Sequence, residues 1–221
     1  MALPRLIFTI LMIMSNVPSV YPYLASPSAG ILLAAGQGSR YAAQRPGADK
    51  LLASLPQGPC VAVASARRLR AAVDSVVAVV RPGNAALAAL LRAEDCRVIE
   101  ADPAGEGMGT SLATAARHLL ALPGTPRAVL VALADMPWIR HASMADVLDA
   151  LQHAPMAAPS HRGQRGHPVG FRADLLPRLA LLSADEGARR LLGQPGLRLV
   201  EVEDPGVLLD IDTPADLDRA G

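Results

Sequence analysis

From about residue 30 onward, apolar runs and apolar stripes alternate along the chain. Residues 31–34, 75–80 and 128–133 are near-continuous apolar or β-branched runs of strand length, the pattern of strands covered on both faces of a parallel sheet. Between them, residues 60–73 carry apolar side chains at helical spacing, with Arg67, Arg68 and Arg70 on other faces. Pro82-Gly83-Asn84 breaks the chain and caps a helix over 85–92, and residues 96–100 alternate like a strand. The order strand, helix, strand, helix, strand predicts a parallel sheet with right-handed crossovers. Residues 41–49, with Pro46 and Gly47, read as a loop, and 50–55 as a short strand. Further on, a helix is predicted over 110–120 with Thr110 or Ser111 as N-cap, and another over 143–151 capped by Ser143. Residues 163–168 read as a polar, kinked connection and 168–171 as a strand. Helices over 173–182 and 185–192 follow, the second begun by Asp185-Glu186 at its positive end. A strand over 197–202 precedes a closing helix with Pro214 in its first turn and Asp212 or Thr213 as cap. No internal repeat or low-complexity linker divides residues 29–221, which read as one domain.

Composition sharpens this picture. The chain has 221 residues, 51% hydrophobic but only 3% aromatic, so Ala, Leu and Val must build the core. A net charge of +1 gives no electrostatic case for nucleic acid or an anionic membrane as partner. Cys60 and Cys96 have no metal spacing around them and read as small buried hydrophobes in a reducing compartment. Residues 1–28 differ from the rest. An apolar run over 6–14 follows Arg5 and precedes Pro18, Pro22 and Pro27. It is too short to span a bilayer. It resembles a signal-peptide core, with Leu24-Ala25-Ser26 as a cleavage neighbourhood. The favoured alternative is a misassigned start upstream of Met12 or Met14. In both cases the segment is an extension outside the fold, and a truncation beginning at Pro27 is expected to fold.

The candidate chemistry gathers where apolar strands end. Leu33-Ala34-Ala35-Gly36-Gln37-Gly38-Ser39-Arg40 leaves a buried run through small residues, with Lys50 behind it. Gly36 and Gly38 allow positive φ and a close approach of ligand to main chain, and successive N–H groups in such a turn form an anion site. Arg40 adds a forked donor and Lys50 a point charge. Neither a dinucleotide fingerprint nor a Walker loop is present, because no third glycine and no Gly-Lys-Ser/Thr follow. A second glycine-rich stretch runs through Gly107 and Gly109 to Ser111 at a helix start, where N–H groups can bind an anion or a base edge. Asp135 follows the apolar run 128–133 and precedes Met136-Pro137. A carboxylate at the carboxyl end of a central strand faces the crevice of an open α/β sheet, and is suited to Mg²⁺. It is expected to be unpaired there. Arg165, Gly166 and His167 suit an anionic acceptor. Asp210 and Asp212 flank Ile211 as a further carboxylate pair near the end of the chain.

These motifs occur together, in order, across residues 30–221: Leu33-Ala34-Ala35-Gly36, Gly107-Met108-Gly109-Thr110-Ser111-Leu112, Ala134-Asp135-Met136-Pro137, Arg165-Gly166-His167-Pro168-Val169, Asp185-Glu186-Gly187-Ala188-Arg189 and Asp210-Ile211-Asp212-Thr213-Pro214. The set resembles the MobA-like NTP transferases, and within them the molybdenum cofactor cytidylyltransferase branch. The resemblance implies an α/β, three-layer Rossmann-like (GT-A-like) domain with a mostly parallel central sheet. It implies CMP transfer from CTP to the terminal phosphate of molybdopterin cofactor, with Mg²⁺ and release of pyrophosphate. Catalytic roles would fall to Arg40, Lys50 and Asp135. The nucleotide would meet Leu33, Ala34, Ala35, Gly36, Gly38, Ser39, Arg40, Lys50, Gly109 and Ser111. The metal would rest on Asp135 and Asp212, and the acceptor on Arg165, Gly166 and His167. Ala35 is similar to the CTP-using branch, where the GTP-using relatives tend to carry glycine. The interval from Arg40 to Lys50 is longer than usual for these proteins. The implied setting is cytoplasmic, with a molybdoenzyme of the xanthine dehydrogenase type as receiving partner and neither nucleic acid nor membrane involved. Two other readings remain beside this one. One is a guanylyl- or sugar-phosphate nucleotidyltransferase on the same scaffold. The other is a non-catalytic protein that delivers the molybdenum cofactor.

Overall fold

The computed structural model describes residues 27–56, 58–102, 107–183 and 188–219. Eight strands form one sheet: β1 (Ser28–Ala34), β2 (Ser75–Val80), β3 (Arg97–Glu100), β4 (Ala128–Leu133), β5 (Met156–His161), β6 (Gln164–Arg165), β7 (Val169–Arg172) and β8 (Leu197–Glu201). The path runs β3-β2-β1-β4-β7-β5-β6, with β8 also paired to β5. The pairs β1–β2, β1–β4, β2–β3 and β5–β8 are parallel, whereas β7 runs antiparallel to β4 and to β5. The helices are α1 (Ser39–Gln44), α2 (Val61–Ala72), α3 (Ala85–Ala93), α4 (Met108–Ala121), α5 (His141–Ala150), α6 (Leu176–Leu179) and α7 (Arg189–Leu192).

The period-2 alternation of a strand sorts the apolar side chains into two cores. Leu32, Ala34, Val76, Ala78, Val80, Leu130 and Ala132 face one side and pack with residues of α2, α3 and α5 such as Leu69, Leu87 and Val147. Ile31, Leu33, Val77, Val79, Val129 and Val131 face the other and pack with Leu112, Ala116 and Leu119 of α4 and with Leu176 and Leu179 of α6. Helices therefore cover both faces, and the architecture is three-layer α/β as expected. Because strands of this kind are buried on both sides, their runs read as continuously apolar.

The antiparallel strand positions the site. Val131 of β4 pairs Val169 of β7, so the residues that enter β7 lie at the carboxyl end of β4. A parallel strand there would have carried Arg165 and His167 to the opposite edge.

Several local expectations change. Residues 41–49 are not all loop: α1 forms directly after Gly38, whose φ is 59°, and buries Tyr41. Residues 50–55 are not a strand. Lys50–Leu52 is a 3-10 turn capped by the Asp49 carboxylate, with only an isolated bridge from Ser54 to Cys60. Thr110 and Ser111 are not caps, because α4 begins two residues earlier after Gly107 and both lie buried in its first turn. Met156–His161 is a strand that small residues and Pro159 disguised; all six positions are buried, and packing overrides their weak strand propensity. The helix expected over 173–182 shortens to a 3-10 turn, Ala173–Leu175, and one turn of α6. Asp185 and Glu186 lie outside the described residues. Cys96 is buried, which pushes its thiol up to about 11, whereas Cys60 is half-buried; both are free. The Asp216 carboxylate of the closing 3-10 turn, Pro214–Arg219, accepts from the Asp212 and Thr213 N–H groups and from the Thr213 hydroxyl.

Ser143 does not cap α5 either. The buried Asp204 carboxylate accepts from the Arg140 N–H at 2.8 Å and the Ser143 hydroxyl at 2.7 Å, closing the start of α5 from a distant segment. It also accepts from Gly206 N–H, fixing the turn whose Val207 carbonyl accepts from His167 N–H. Asp204→Ala leaves these buried donors without partners. The expected loss is about 2–4 kcal/mol in urea unfolding at unchanged m-value; a loss below about 0.5 kcal/mol, the level of an ordinary surface change, would contradict this role.

Candidate active site

The ends of β1 and β4 and one returning loop assemble the centre of the site. β1 runs out through Ala35 and Gly36 into the left-handed Gly38 and the start of α1. A side chain at Gly36 would project into open space, and one at Gly38 would press within 3.3 Å of the Lys50 stem. The first glycine keeps the cavity wall bare; the second admits Lys50. β4 delivers Asp135 just past its carboxyl end. The segment after β8 returns so that Ile211 N–H donates to the Asp135 carbonyl at 3.0 Å.

Lys50 lies at the centre. Its ammonium donates to Asp135 Oδ2 at 2.6 Å and to the Ile211 carbonyl at 2.8 Å, and stands 3.5 Å from Asp212 Oδ1. Its side chain is only 9% exposed. Arg40, exposed, reaches the other oxygen of Asp212 at 2.5 Å. The longer interval between Arg40 and Lys50 is absorbed by α1 and the turn at Gly47, whose φ is 79°. Asp135 is therefore paired, against expectation, because the 3-10 turn aims Lys50 inward. Asp135 Oδ1 is buried with no hydrogen-bond partner. Burial, then Asp212 and Asp135, push the Asp210 carboxyl up. Residues 209–212 are not a strand, so no strand alternation sets which way Asp210 and Asp212 face.

A cavity of about 700 Å³ opens over this cluster, lined on one side by Leu33, Ala35, Gly36, Lys50, Ser111 and Asp135. Arg81-Pro82 after β2, Ala101-Asp102 after β3, Gln37, Leu51 and Met108 complete its wall. Arg81-Pro82 and Ala101-Asp102 belong to none of the motifs that mark the site in the sequence. The signal was present, since every parallel strand carries its carboxyl end to the same crevice. Arg81 is held by Asp49 at 3.3 Å, and Asp49 also accepts from Asn84 at 2.9 Å. Ala34 does not line the cavity, because it points into the core on the other face, and Gly109 is buried within α4. Ser39 is exposed at the start of α1.

A second cavity of about 220 Å³ adjoins the first across Leu33, Met108 and Leu133. Its floor is apolar, including Leu112, Val131 and Phe171, and its polar lining is Arg165, His167 and Arg189. Gly166 packs so closely on the Val207 carbonyl that no side chain fits there. The His167 ring is lowered chiefly by burial, against the opposing pull of Asp135, so the imidazole is neutral at neutral pH and the two arginines carry the positive charge. Among the described residues no group of three or more His, Cys, Asp or Glu side chains is arranged to hold a metal. The carboxylates of Asp135 and Asp212, with one buried oxygen unpartnered, still fit Mg²⁺, which takes one or two carboxylates and completes its shell with phosphate and water. No helix among the described residues is long and apolar enough to cross a membrane.

Known proteins resemble this chain in sequence or in fold. The purine catabolism protein PucB of Bacillus subtilis (strain 168) is 35% identical over 118 residues, 52% of this chain and 56% of PucB, so the match spans little more than half of that relative. The Rv0371c protein of Mycobacterium tuberculosis H37Rv superposes with a TM-score of 0.71 at 26% identity, over 88% of this chain and 97% of that one. It is also known in a manganese complex, with a TM-score of 0.67 at 24% identity over the same shares. The nucleotidyl transferase Mth528 from Methanothermobacter thermautotroptrophicus gives 0.71 at 25% identity, over 87% and 95%. The MobA-like NTP transferase domain matches residues 30–201, from the first core strand to the last, and the chain belongs to that family.

Proposed function

We propose that the protein transfers CMP from CTP to the terminal phosphate of molybdopterin cofactor and releases pyrophosphate. The observation that carries this reading is the meeting, at one sheet edge, of the glycine turn, the Lys50–Asp135–Asp212 cluster and a second, arginine-lined cavity across a shared apolar ridge. The larger cavity has the volume of a nucleotide-sized ligand site. The smaller one suits a flat ring on its apolar floor and an anionic tail at Arg165 and Arg189. Ala35 at the cavity wall favours the CTP reading over the GTP one. The family carries the nucleotidyltransferase part of the proposal; the acceptor rests on the second cavity and the base on Ala35.

The acceptor phosphate is already an anion, so in-line attack at the α-phosphorus needs no general base. What the protein supplies is position and charge. The N–H groups of residues 35–39 would cradle the triphosphate. Arg40 and Lys50 would offset charge on the leaving pyrophosphate, and Arg165, Gly166 and His167 would seat the acceptor. Mg²⁺, held by Asp135 and Asp212, would neutralise the triphosphate oxygens; a relative's manganese complex supports a divalent ion. The setting would be the cytoplasm, where CTP is made, with a molybdoenzyme of the xanthine dehydrogenase type receiving the product.

The direct test is incubation with each NTP, Mg²⁺ and purified molybdopterin cofactor, scored for pyrophosphate and a dinucleotide. CTP should be preferred; equal turnover or a GTP preference would overturn the base assignment. Asp135→Asn keeps the shape but loses the charge for the metal, and should lower turnover by roughly two to four orders of magnitude. Its melting temperature should also fall, because Lys50 loses its principal counter-charge. Near-normal turnover by this variant would move the metal to Asp210 or Asp212.

A further inference from the structure

Lys50 is placed where a phosphate-binding lysine has least freedom. Its ammonium is buried, donates to one carboxylate and one carbonyl, and faces a second carboxylate 3.5 Å away. Arg40 holds the other oxygen of that second carboxylate. Two fixed cations thus stand against Asp135 and Asp212. A divalent ion held by these carboxylates would meet the positive charge of the Lys50 ammonium, and like charges repel strongly in a half-buried site.

We propose that the Lys50 ammonium is the resident counter-ion of the Asp135–Asp212 pair and competes with the divalent ion for it. This rests on the metal reading above and adds a consequence that reading lacks. In the resting cluster Lys50 and Arg40 already offset the charge of Asp135 and Asp212, with the Asp210 carboxyl close by, which weakens the pair's attraction for a bare divalent ion. The metal enters with the nucleotide, whose phosphates bring the missing negative charge and accept the displaced ammonium. Lys50 thereby links triphosphate binding to metal binding. The Ile211 carbonyl, itself fixed by the Ile211 N–H bond to Asp135, keeps the ammonium in register while it waits.

The test is Mn²⁺ binding to the full chain, followed by electron paramagnetic resonance without nucleotide and then with CTP. Lys50→Met keeps the length of the stem and removes the charge. It should bind Mn²⁺ without nucleotide about tenfold or more tightly than wild type. Lys50→Arg, which keeps the charge, should stay near wild type. Equal or weaker Mn²⁺ binding by a folded Lys50→Met protein would overturn the proposal. If a thermal melt shows that variant unfolded, Arg40→Gln decides: its exposed partner charge is lost, so Mn²⁺ binding should tighten severalfold, and no change would overturn the proposal. Failure of wild type to form a Mn²⁺–CTP complex that Asp135→Asn loses would contradict the underlying metal site instead, so the two readings fail separately.

Discussion

The grip of one buried ammonium organises the site. Lys50 draws together the end of β4 through Asp135 and the loop after β8 through Ile211 and Asp212, and its stem lies where a side chain at Gly38 would press on it. Opposite unit charges about 4 Å apart gain about 4 kcal/mol at an effective dielectric of about 20, and desolvation offsets much of that. Net stability is therefore not what the cluster chiefly supplies. Removing one partner of such a pair costs about 3–5 kcal/mol because a charge is left buried alone. The arrangement is thus held by the penalty for breaking it, which keeps two like-charged carboxylates side by side at a crevice.

The second constraint is topological. Parallel strands bring their carboxyl ends to one edge, and the antiparallel β7 brings its amino end to the same edge. Arg165 and His167 can then stand across Leu33 and Leu133 from the nucleotide-sized cavity without a long loop. Asp204 closes α5 and the turn that holds His167 N–H, so the smaller cavity rests on a buried carboxylate as the larger one rests on Lys50.

How much of this was legible follows from how local each signal is. β2 and β4 were read at their true bounds because burial on both faces writes a continuous apolar run. Asp135 was found because it follows such a run. β5 was missed because its small residues and Pro159 carry burial without propensity. The pairing of Asp135 was missed because its partner is 85 residues away and depends on a 3-10 turn that looked like a strand. Ser143 has the local signature of a cap, but a carboxylate 61 residues distant closes the start of α5. Arg81 and Asp102 were legible in principle from strand ends alone.

The most direct measurement of the central claim is a crystal structure of the protein with Mn²⁺ and a non-hydrolysable CTP analogue, using anomalous scattering from manganese. The account predicts the triphosphate over residues 35–39, the manganese on Asp135 Oδ1 and Asp212, and the Lys50 ammonium moved from Asp135 toward phosphate. Manganese away from both carboxylates, or the analogue outside the cavity that opens over Gly36 and Asp135, would contradict it.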